Sequence, residues 1–100
     1  MDIKVQAVNF SADEGLVEFT EERLSKLDQF FDHIISSEVF LKVDKKESKN
    51  NKIAEIKLAI PGKDLFASKQ YDTFEEAVDE AVEAVRKQVI KHKEKLMAKH

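Results

Sequence analysis

The chain has 100 residues, of which 42% are apolar and 37% charged, with two Gly, one Pro and no Cys. That length holds one domain, 1–100, since compact domains commonly run ~100–150 residues, and the lack of Cys excludes a disulfide, a thiolate metal site and a cysteine nucleophile. The formal net charge of −3 argues against nucleic-acid binding only if the charges are evenly spread, and they are not. Apolar runs reach only three residues, as in Val39-Phe40-Leu41, and no signal-like stretch opens the chain, so a soluble cytoplasmic protein with no membrane contact is expected.

Residues 2–8 alternate, with Ile3, Val5 and Ala7 on one face and Asp2, Lys4 and Gln6 on the other, which predicts a half-buried strand. The next segment offers two helix N-caps, Ser11 (with Glu14 three residues on) or Asp13, and the sequence does not choose between them. From about 14 to 32, Leu16, Val17, Phe19, Leu24, Leu27, Phe30 and Phe31 fall on one helical stripe, opposite Glu18, Glu21, Glu22, Asp28 and Asp32. Arg23 and Lys26 lie on a border of that stripe, beside Phe19 and Phe30.

The period then changes to two: Val39, Leu41 and Val43 alternate with polar residues, and 45–52 is wholly polar with turn composition. Ala54, Ile56, Leu58 and Ile60 make a third strand, closed by a hairpin turn at Pro61-Gly62-Lys63-Asp64. A fourth strand runs from Leu65 to Tyr71, with Phe66 and Ser68 on its outer face. Thr73 and Glu76 form a capping box for a last helix over about 74–98, whose stripe is Phe74, Val78, Ala81, Val82, Val85, Val89 and Leu96. The expected fold is α+β: a two-layer β-α-β-β-β-α domain with two helices on one face of a four-stranded, mostly antiparallel sheet.

The last helix is electrically split. Residues 73–85 carry five acids and no base, whereas 86–100 carry Arg86, Lys87, Lys91, Lys93, Lys95 and Lys99 against Glu94. Helix-dipole complementarity explains part of this, but it fades within a turn and the basic block covers nearly four. Arg86, Lys87, Lys91, Lys93 and Lys95 avoid the apolar stripe, a layout suited to reading a phosphate backbone. Phe10, Phe19, Phe30, Phe31 and Phe74 are expected in or near the core, and Phe40 and Phe66 outside on the sheet. No nucleotide-loop, zincin or nucleophile-elbow motif occurs. His33, His92 and His100 are too scattered for a metal set, and the pairs Glu21–Glu22 and Asp79–Glu80 sit on solvated faces. No catalysis, cofactor or small-molecule substrate is expected.

Lys26-Leu27-Asp28-Gln29-Phe30-Phe31-Asp32-His33-Ile34 resembles a stretch of the ribosome hibernation promoting factor and ribosome-associated inhibitor family. The resemblance extends through 39–43, 61–67 and 73–79, and is most specific over Arg86-Lys87-Gln88-Val89-Ile90-Lys91-His92-Lys93-Glu94-Lys95. It implies a bacterial stationary-phase stress factor, similar in fold to double-stranded RNA-binding domains. Such a factor lodges in the messenger and transfer RNA channel of the small ribosomal subunit and blocks translation. It also implies RNA-facing roles for Arg23, Lys26, Lys87, Lys91, Lys93 and Lys95, with Arg86 as an extra cation beside them. Ala84 departs from the pattern, since relatives often carry Lys there. The sequence ends at His100 without the C-terminal dimerisation domain of long forms or the acidic tail of the inhibitor, and reads as a short form that is monomeric off the ribosome. Two other readings compete: a general double-stranded RNA binder, and a protein–protein adaptor that uses the outer sheet face with Phe40 and Phe66.

Overall fold

The computed structural model describes residues 1–97; Lys99, His100 and the expected last residue of the second helix, Ala98, lie outside the described residues. The elements follow the order β1 (Asp2–Ala7), α1 (Glu14–Ser25), β2 (Ser36–Val43), β3 (Lys52–Ile60), β4 (Lys63–Tyr71) and α2 (Phe74–Met97). The sheet order is β1-β2-β3-β4, with β1 parallel to β2 and the other pairs antiparallel. The parallel pair follows from α1, which carries the chain from the end of β1 back to the start of β2. Both helices cover one face, α1 beside β1 and α2 over β3 and β4. This is the expected α+β architecture.

Period-two alternation sets the register. Val5, Val39, Ile56 and Ala67 line up across the four strands on the helix-covered face, as do Ile3, Ser37, Leu58 and Leu65. Leu24, Leu27, Val78, Ala81, Val85 and Val89 close the core from above. Burial of the Leu and Val side chains contributes roughly 1.5–3 kcal/mol each. Among the described residues the Oγ of Ser37, facing this core, has no hydrogen-bond partner. The β3–β4 hairpin turns on two residues, Pro61 and Gly62, with Gly62 at φ +76°, a conformation glycine adopts without a Cβ penalty.

The two N-cap candidates resolve to Asp13, whose Oδ1 accepts the Leu16 N–H at 2.7 Å. Thr73 caps α2 by accepting the Glu76 N–H at 3.1 Å. The expected helix over 14–32 is shorter than predicted: α1 ends at Ser25, a 3-10 turn spans Lys26–Gln29, and the chain then leaves helical geometry before β2. The tightened turn keeps Leu27 and Phe31 in the core but rotates Phe30 outward, to 37% exposure, against the expectation that Phe30 is buried. Phe10 and Phe74 stack on each other at 5.0 Å between ring centroids, packed at the edge of the core. Leu96 also departs from its predicted stripe. The last core residue of α2 is Val89, and Leu96 and Met97 are exposed on its final turn, beyond the buried stripe.

The opposite face of the sheet is open. Lys42 pairs with Glu55 at 2.8 Å and Lys57 with Asp64 at 3.6 Å across it. Phe66 is exposed there and Phe40 half-buried, but Glu55 and Lys57 of β3 stand between them, so the two rings form no continuous apolar patch. Among the described residues no helix is long and apolar enough to cross a membrane.

Candidate nucleic-acid interface

The cations occupy the helical layer in three rows, fixed by the 100° step of α2 around its buried face. Arg86 and Lys93, seven residues and hence about 20° apart, share the side of α2 that faces α1. Lys87 stands exposed on the crest. Lys91 and Lys95, one turn apart, share the other flank, where they line a hollow of about 240 Å³ with Lys63, Asp64, Gln88 and His92. A side chain ties α2 to the sheet there: Gln88 Nε2 donates to the Phe66 carbonyl at 2.8 Å on the free edge of β4.

Arg23 and Lys26 approach from the other helix. With Arg86 they line a groove between α1 and α2, whose remaining charged lining is Asp79, Glu80 and Glu83. Three cations against three carboxylates leave this groove formally neutral as a whole, with Lys26 outside any ion pair among the described residues. Arg23 Nε lies 2.7 Å from Asp79 Oδ1, and its guanidinium sits 4.4 Å from the Phe19 ring centroid. Arg86 is 3.0 Å from Glu83 and 4.7 Å from the Phe30 ring centroid. Both arginines are thus engaged within the protein.

The lysines differ. Among the described residues none of Lys26, Lys87, Lys91, Lys93 and Lys95 lies within 4.0 Å of a carboxylate oxygen. Lys93 donates to the Phe30 carbonyl at 3.0 Å, which leaves its charge uncompensated and fixes where it points. Lys63 is absent from the expected set, yet the hairpin turn brings it beside Lys91 and Lys95. Its place in the Pro-Gly-Lys-Asp turn was the available signal, but nothing in local periodicity links that turn to the end of α2. His92 sits half-buried with its ring edge-on to Phe31 at 6.0 Å between centroids.

Fold and charge together define a class: a small two-layer α+β domain whose open side is a sheet and whose helical side carries a ridge of uncompensated lysines. Within that class the chain belongs to the family described as sigma 54 modulation protein / S30EA ribosomal protein, whose model matches residues 3–97. It is 30% identical over 96 residues to a ribosome hibernation promoting factor of Klebsiella oxytoca, covering 96% of this chain and 97% of that protein. It is 28% identical over 95 residues to one of Azotobacter vinelandii, covering 95% of this chain and 85% of the relative. Among solved structures, the N-terminal domain of Thermus thermophilus Protein Y superposes with a TM-score of 0.77 at 26% identity, covering 89% of this chain and 96% of that one. A ribosomal subunit interface protein from Coxiella burnetii shares the fold, with a TM-score of 0.83 at 22% identity and coverage of 93% and 98%.

Proposed function

We propose that this protein binds the small ribosomal subunit through ribosomal RNA, fills the channel that messenger and transfer RNA use, and so holds ribosomes inactive in the cytoplasm. The observation that carries the reading is the set of five lysines on the helical side that, among the described residues, have no carboxylate oxygen within 4.0 Å, on a domain of this family. Uncompensated cations on a rigid helix repel one another, and a polyanion removes that cost while releasing its own counterions. Lys87, Lys91, Lys93 and Lys95 extend from the second half of α2, and Lys26 joins them from the end of α1. The body of the domain then excludes other RNA by bulk; no group needs to perform chemistry. Family membership and near full-length similarity to proteins named ribosome hibernation promoting factor support the ribosome as the polyanion.

The test is co-sedimentation with purified small subunits, using the wild type and the triple variant Lys87→Glu, Lys91→Glu, Lys95→Glu. All three side chains are exposed, so the variant is expected to fold. The wild type should pellet with the subunits and be displaced by messenger RNA with transfer RNA, and the variant should stay in the supernatant. Binding by the folded variant would refute the lysine assignment. Equal competition by an arbitrary RNA duplex would favour general duplex binding instead.

A further inference from the structure

We propose that the free face of the Phe30 ring is a stacking site for one unstacked nucleobase of the bound RNA. This rests on the ribosomal RNA reading above and adds a contact that charge alone does not supply. Phe30 is a large apolar side chain left exposed at the end of the 3-10 turn, and it stands among cations: Arg86 lies 4.7 Å from the ring centroid, and Lys93 holds its carbonyl at 3.0 Å. The ring divides two spaces. On one side is the inter-helix groove with Arg23, Lys26 and Arg86. On the other is a hollow of about 510 Å³ whose apolar wall includes Phe31, Leu96 and Met97, the last two exposed.

The charges around that hollow select what enters it. Asp28 and Asp32 stand on its rim with Lys93 and His33. The Met1 ammonium holds Asp28 at 3.3 Å and Lys93 offsets Asp32, so the rim offers a phosphate no net attraction, whereas a neutral base gains an apolar wall, a ring to stack on and the Asp32 carboxylate as acceptor for its exocyclic amino group. The flanking phosphates fall instead to Lys26 and Lys93, on either side of the ring. With Arg86 on one face and a base on the other, Phe30 is the middle layer of a three-layer stack, an arrangement RNA-binding surfaces use on unpaired nucleotides. Phe66, more exposed still, lacks this setting: among the described residues no cation sits over its ring, and the lysine opposite it, Lys57, is paired with Asp64.

The experiment measures affinity of the full chain for purified small subunits across a salt series, for wild type, Phe30→Leu and Phe30→Trp. Leucine keeps the apolar bulk against the core and removes the aromatic face; tryptophan keeps both. Phe30→Leu is expected to bind on the order of tenfold or more weakly with the salt slope unchanged, and Phe30→Trp to bind like the wild type. A photoreactive benzoylphenylalanine at position 30 is expected to cross-link to ribosomal RNA. Phe30→Leu binding as tightly as wild type, or a cross-link to a ribosomal protein, would overturn the stacking site while leaving the lysine ridge standing. A wild type that does not bind the subunit at all would remove both.

Discussion

Replacing Asp79 with Asn should make the protein a tighter RNA binder while making the fold slightly weaker. Asp79 holds Arg23 at 2.7 Å across the two helices, in a groove where three cations face three carboxylates. The substitution keeps the shape and raises the groove's net charge by one, leaving Glu22, 3.6 Å from Arg23 Nη1, as the arginine's remaining carboxylate neighbour. If Arg23 then engages one further phosphate, the slope of log K against log salt steepens by up to about 0.9. A contact of that kind, worth nothing at about 1 M salt, is worth up to about eightfold at about 0.1 M. The cost to the fold is small, because both partners are partly exposed and such pairs typically contribute ~0.2–1 kcal/mol. A filter-binding titration on small subunits at several salt concentrations, with a thermal melt alongside, reads both effects. Weaker binding, or tighter binding with an unchanged slope, would refute the reasoning, since it would mean that Arg23 serves the interface only while Asp79 positions it.

Two further outcomes concern the fold. Ser37→Ala removes a buried hydroxyl that has no hydrogen-bond partner among the described residues, and should raise stability by about 1 kcal/mol, a Tm gain of roughly 4–8 °C in a domain of this size; a lower Tm would show that the hydroxyl is satisfied. The carboxylate of Asp44 accepts the Lys46 N–H and then the Gln70 side-chain amide, which together hold its pKa below the ordinary aspartate value. A depressed carboxylate stabilises the fold above its unfolded pKa, and the contribution is lost as pH falls through the folded one. An NMR titration should therefore place Asp44 below a free aspartate and move it upward in Gln70→Ala; no movement would assign the shift to the backbone contact alone.

The order of strands and helices was legible because each element buries one face, so its period is written in the apolar residues. The break in the first helix was not. A 3-10 turn of four residues, Lys26–Gln29, shifts the helical phase too little to disturb the spacing of Leu24, Leu27 and Phe31, and no Gly or Pro marks it. Phe30 consequently read as core and is in fact half outside. In the candidate interface, the lysines were legible from the charge split of the last helix and from avoidance of its stripe. The pairing of Arg23 with Asp79 was not, because it joins residues 56 apart in the chain and depends on how closely two helices pack. Lys63 escaped for the same reason: only the folded hairpin sets it beside Lys91 and Lys95.

The lysine ridge is tested most directly by the salt dependence of wild-type binding to the small subunit. Five uncompensated lysines, each neutralising one phosphate, give a slope of log K against log salt of roughly −3.5 to −4.5. A slope in that range, flattened by about 2 or more units in a variant with Lys87→Gln, Lys91→Gln and Lys95→Gln, is the expected result. Binding that is indifferent to salt, or equally steep with and without the three lysines, would contradict the account.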